Sequence, residues 1–156
     1  MRANVNNILK TLERMADLER AVAEFYKTAA EAFPDDAPFW KQLSKAEVKH
    51  ADYIGRMADI LKRKPEKFEG GRPFNVTAAE FFIANLKKSQ EQLKIGGFNK
   101  KQLLFTALDT EQAILESKYA EILDTKDVEY QTLISEIAVE TDQHKQSILD
   151  KIDEIK

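Results

Sequence analysis

Glu47-Val48-Lys49-His50 places a carboxylate and an imidazole three residues apart. On a helix, that spacing puts both side chains on one face within reach of a single ion. The chain has two histidines, and the second, His144, also falls inside a long apolar-periodic stretch. Glu19 and Glu111 occupy positions in two further stripes that are otherwise apolar. A carboxylate taken out of water costs several kcal/mol unless something charged meets it. Glutamates converging on one core would also repel each other, and no Lys or Arg stands in the same seams. A bound divalent or trivalent metal supplies the missing positive charge. Imidazole and carboxylate together suit iron, manganese or zinc rather than calcium.

Long helices must position these groups, and the punctuation of the chain predicts them. Turn formers cluster at Pro34-Asp35-Asp36-Ala37-Pro38, between Arg63 and Phe74, and at Gly96-Gly97-Phe98-Asn99, with a weaker break from Asp124 to Asp127. Four long helices are expected at roughly 4–33, 37–63, 99–124 and 127–155, with a shorter one at about 77–95 capped by Asn75 or Thr77. Steps of three and four mark one stripe on each. The first runs Val5, Ile8, Leu12, Met15, Glu19, Val22, Tyr26, Ala29, Phe33. The second runs Trp40, Leu43, Glu47, His50, Ile54, Met57, Leu61. The third holds Leu104, Leu108, Glu111, Leu115, Tyr119 and Ile122. The fourth holds Leu133, Ile137, His144, Ile148 and Ile155, with Glu140 and Thr141 in the gap. Each long helix therefore carries a Glu or His in mid-seam.

Composition removes competing classes. The 156 residues are 43% apolar and 33% charged, enough for one domain with a core. There is no cysteine, hence no disulfide framework, thiol nucleophile, zinc ribbon or rubredoxin-type centre. Lys plus Arg number 24 against 27 Asp plus Glu, which is not the balance of a nucleic-acid binder. Five Gly and four Pro argue against many-stranded β architectures. Arg2, Lys10, Glu13 and Arg14 interrupt the apolar residues between Met1 and Met15, so no signal-peptide core is expected. No stretch nears the roughly 18 apolar residues of a membrane span. The expectation is a cytoplasmic protein with neither a membrane nor a nucleic-acid partner.

Several runs resemble a known family. Leu18-Glu19 followed by Glu24-Phe25-Tyr26-Lys27, and Phe39-Trp40-Lys41-Gln42-Leu43 leading into Glu47-Val48-Lys49-His50-Ala51, look like the first half of a rubrerythrin-type ferritin-like domain. Ala107-Leu108-Asp109-Thr110-Glu111 and Ile137-Ala138-Val139-Glu140-Thr141-Asp142-Gln143-His144 resemble its repeat. The resemblance covers nearly the whole chain as a single domain, 1–156, without a rubredoxin domain. It implies an all-α, ferritin-like four-helix bundle with a long crossover, carrying the short extra helix, between helices two and three. It also implies a diiron site in which Glu47 bridges, Glu19 and Glu111 bind terminally, and His50 and His144 each hold one ion. The implied activity is that of a non-haem diiron peroxidase or oxidase, reacting with peroxide or oxygen. Its electrons would come from an external donor, and a homodimer belongs to the same expectation.

Two positions depart from the family pattern. Thr141 stands where a bridging glutamate is expected, and Glu140 is the nearest replacement ligand, Asp142 a lesser one. Tyr119 lies eight residues after Glu111, whereas Tyr26 lies seven after Glu19, and Lys118 occupies the strict repeat position. Tyr26, Tyr53 and Tyr119 have two readings: lining a metal cavity as hydrogen-bond donors or radical partners, or, as the default, packing with satisfied hydroxyls. Singly, each candidate has an ordinary alternative: Glu19 at the edge of its stripe, Glu47 with His50 as a surface pair, His144 as a helix-end decoration. The alternative for the whole is a degenerate helical bundle with one metal or none and a structural or binding role. Iron storage in a cage ranks last.

Overall fold

The structure, a computed structural model, describes residues 5–116 and 119–155. Among these, five helices carry most of the chain: α1 (Val5–Ala32), α2 (Ala37–Arg63), α3 (Val76–Lys94), α4 (Lys100–Glu116) and α5 (Val128–Glu154). The expected all-helical character holds apart from one two-stranded antiparallel sheet, β1 (Phe68–Gly70) with β2 (Leu123–Thr125). α1 packs along α2 and α3, while α5 packs against both α4 and α2. No described helix is long and apolar enough to cross a membrane.

Local chemistry sets the helix ends. Asn75 caps α3 by accepting a 2.9 Å bond from the Ala78 N–H, which settles the choice between Asn75 and Thr77. Asn99 and Gln102 form a reciprocal box at the start of α4: Gln102 N donates to Asn99 Oδ1 at 2.8 Å, and Asn99 N to Gln102 Oε1 at 2.9 Å. Asp127 caps α5 through the Tyr130 N–H, and Lys64 holds its other oxygen at 3.2 Å. Asp36 gives α2 no side-chain cap. Its carboxylate instead meets Lys100 at 2.9 Å and Lys151 at 3.6 Å, tying the α1–α2 turn to the start of α4 and the end of α5.

The third long helix is shorter than its periodicity predicts. α4 is described over Lys100–Glu116, a 3-10 turn covers Tyr119–Glu121, and residues 123–125 are strand. Pairing with β1 overrides the helical pattern, with Leu123 opposite Gly70 and Phe68 opposite Thr125. Gly71 continues the contact by donating to the Ile122 carbonyl at 3.0 Å. A Cβ there would collide with the Glu121 carbonyl oxygen, so the close approach requires glycine. The buried face of α4 also differs by a position from the expected one. Leu103, Leu104, Ala107, Glu111 and Ile114 enter the core, while Leu108 and Leu115 are only half-buried. On α2 all seven stripe residues are buried as expected.

Candidate metal centre

Helix geometry converts the stripes into a cluster. Glu19 sits mid-α1, Glu47 and His50 one turn apart on α2, and Glu111 on the core face of α4; all four are fully buried. His144 joins from α5 with 13% of its side chain exposed. Ligand atoms of Glu19, Glu47 and His50 lie within 4.8 Å of one another, and so do those of Glu47, Glu111 and His144. Glu47 belongs to both groups.

The contacts are short and carboxylate-rich. His144 Nδ1 lies 3.1 Å from Glu47 Oε1 and 3.5 Å from Glu111 Oε1. The two imidazoles stack with centroids 5.8 Å apart. Among the described residues, these carboxylates pair with the imidazoles and with no lysine or arginine. Several buried polar atoms have, among the described residues, no hydrogen bond: both oxygens of Glu19, one each of Glu47 and Glu111, and His50 Nδ1. Orphaned groups of this kind are costly unless a partner completes them. Three carboxylates and two imidazoles, in two groups that share Glu47, could hold a metal ion. The residues present fit such an ion.

Electrostatics point the same way. Burial, then the charges of Glu47 and Glu111, push Glu19 well above the ordinary carboxylate range. Burial and the Glu47 charge push Glu111 up to about 7. Burial works to raise Glu47 as well, but Glu19, His144 and His50 together draw it below the ordinary range. For His144 desolvation is outweighed by Glu111 and Glu47, and it rises to about 9.

The sign of the pH dependence follows. A carboxyl raised in the folded chain loses stability as pH rises from about 4.5 through about 7. His144 contributes stability that is complete below about 6.5 and lost through about 9. Metal-free protein is therefore expected to melt at progressively lower temperature as pH rises over that span. A cation must displace the same protons, so metal affinity should climb with pH and binding should release protons. Calorimetry in buffers of different ionisation enthalpy measures that release. A pH-independent affinity would place Glu111 and His144 outside the ligand set.

Glu140 takes a different place from the one expected of a replacement ligand. It belongs to neither donor group. One of its oxygens lies 3.2 Å from His50 Nε2, and Lys49 Nζ holds the carboxylate at 2.9 Å. His50 therefore turns Nδ1 toward Glu47 and its other nitrogen toward Glu140. A carboxylate behind a ligating imidazole fixes its orientation and tautomer. Glu140→Ala should lower metal affinity by roughly 10- to 100-fold while leaving the number of ions unchanged. Loss of an ion on that substitution would make Glu140 a direct ligand.

Thr141 is buried, and its hydroxyl donates to the Ile137 carbonyl of its own helix at 2.7 Å. It supplies no charge. Asp142 is exposed. The Tyr26 hydroxyl donates to Glu111 Oε1 at 2.8 Å, so Tyr26 is both buried with its hydroxyl satisfied and a hydrogen-bond donor to the cluster. Tyr53 is half-buried and packs against the core, with Lys49 and Arg56 over its ring. Tyr119 is buried, and among the described residues its hydroxyl has no partner, contrary to the satisfied hydroxyl of the default reading. Lys118 lies outside the described residues. No family model, curated protein or solved structure matches this chain.

Proposed function

We propose that the chain is a rubrerythrin-type, ferritin-like dimetal carboxylate protein, its bundle formed by α1, α2, α4 and α5 with α3 in the crossover. One observation carries the reading: two three-residue donor groups share Glu47 in an interior where, among the described residues, both Glu19 oxygens, one oxygen each of Glu47 and Glu111, and His50 Nδ1 make no hydrogen bond. Glu19, Glu47 and His50 would hold one ion, and Glu47, Glu111 and His144 the other. Iron is the favoured metal, with manganese and zinc its competitors. A bound iron pair supplies electron-transfer chemistry toward peroxide or dioxygen, with electrons from an external donor because this chain has no cysteine.

The chain's own residues prepare that chemistry. Burial of Glu19, Glu47, His50 and Glu111 keeps water from competing for the donor atoms. Tyr26 fixes one oxygen of Glu111 and leaves the other open. Glu140 sets the His50 ring, and Lys49 sets Glu140. His144, poised between two carboxylates, holds or gives up a proton at Nδ1 as their charge changes.

Thr141 favours a second reading, in which the α5 side has lost its carboxylate and the chain binds one ion or none. Metal content after stripping and anaerobic loading with ferrous iron separates the two. Two ions per chain support the dimetal reading, and one ion supports an asymmetric remnant. None under any condition leaves a helical protein without metal chemistry.

A further inference from the structure

Among the described residues, the acidic cluster reaches the surface along one edge. The side chains of Glu47, His50 and Glu111 are 0% exposed, and Glu19 is equally buried. His144 is 13% exposed, Glu140 22% and Lys49 47%. From His50 through Glu140 to Lys49, exposure therefore rises outward along the seam where α5 packs on α2.

Each step along that seam is a contact. His50 Nε2 lies 3.2 Å from a Glu140 oxygen, and Lys49 Nζ lies 2.9 Å from the same carboxylate. The ammonium also stands 5.7 Å from the centre of the Tyr53 ring, a second attraction that holds it over the seam. Lys49 is thus a monovalent cation seated on the outermost carboxylate before the buried donors. Inward of Glu140, the His50 and His144 rings stack with centroids 5.8 Å apart. Both reach Glu47, His50 at 3.5 Å and His144 at 3.1 Å.

We infer that divalent cations enter the cluster through this α2–α5 seam, binding first at the Glu140 carboxylate in place of Lys49. This route rests on the dimetal reading, whose ions it supplies. Glu140 is a transit ligand here: it hands the ion to the imidazoles and stays behind His50 once the ion has passed. Lys49 neutralises that carboxylate in the metal-free protein and repels an approaching cation until it swings away.

A divalent ion passing roughly 5 Å from a unit charge in water meets an interaction worth about tenfold in rate. Lys49→Gln should therefore load ferrous iron about tenfold faster, and Glu140→Gln about tenfold more slowly, with both effects shrinking as salt is added. Trp40, the one tryptophan, reports the ion's arrival. Its ring lies 5.6 Å from that of Tyr26, whose hydroxyl bonds Glu111. Stopped-flow quenching of Trp40 by anaerobic ferrous iron measures the uptake rate, and metal analysis of the same samples counts the ions. Lys87→Gln removes an equal charge from an exposed position on α3, the helix packed on α1, and should leave the rate unchanged. Uptake unaltered by Lys49→Gln or by Glu140→Gln overturns the route, as does an equal acceleration by Lys87→Gln. Two ions bound in those samples would leave the dimetal reading standing without it. If neither wild type nor variant takes up iron, that reading fails and the route falls with it.

Discussion

On the proposed dimetal reading, Glu47→Ala is expected to abolish binding at both metal positions, whereas Glu111→Ala or Glu19→Ala abolishes binding at one. The asymmetry comes from geometry, because Glu47 is the one carboxylate common to both donor groups. Loss of an outer partner such as Glu140 already costs roughly 10- to 100-fold in affinity, so loss of a direct ligand should cost at least about 100-fold. At Glu47 that loss falls on each ion. The second effect is local and needs no metal. Glu47 and Glu111 are the carboxylates that raise His144, so removing Glu47 should bring its titration down toward the ordinary imidazole value. Elemental analysis of loaded variants reads the first effect, and the His144 ring proton resonances against pH read the second. One ion retained by Glu47→Ala at wild-type affinity would mean that the two groups do not share this ligand.

The seam residues were legible because a helix imposes its period on the sequence. On α2, Trp40 through Leu61 recur at steps of three and four, and burial follows that pattern, Glu47 and His50 included. Glu19 was legible for the same reason. What the sequence left hidden depends on contacts between distant segments. Strands of three residues at Phe68–Gly70 and Leu123–Thr125 carry too little pattern to announce themselves, and each exists because the other pairs with it. The helical rhythm through Tyr119 and Ile122 is real, yet β1 captures the chain first. Glu140 shows the same limit at the site. It lies one turn before His144, so helical spacing groups it with His144's ion. The position of α2 against α5 instead sets it behind His50, with Lys49 alongside. The Tyr26–Glu111 bond, between residues 85 apart in sequence, was equally out of reach.

Glu19→Met should stabilise the metal-free protein by about 1–3 kcal/mol, the cost of holding a buried polar group without its hydrogen bonds. Neither Glu19 oxygen accepts a hydrogen bond among the described residues, so methionine forfeits only the interaction of the protonated carboxyl with Glu47. Its flexible thioether also fits an irregular space. For a domain of this size the gain corresponds to roughly 2–10 °C in melting temperature. The gain should grow with pH above about 4.5, since the folded wild type must then keep a proton on Glu19 that the unfolded chain gives up. Saturating metal should reverse the order. Wild type gains about 4 kcal/mol at a thousandfold excess over Kd, and the variant loses the ion that Glu19 helps to hold. Melting curves with chelator and with ferrous iron should therefore cross in rank, a signature that neither a packing role nor a solvated surface role for Glu19 produces. Destabilisation of the metal-free protein by Glu19→Met would show that the carboxyl is already satisfied within the fold and is not held in reserve for a cation.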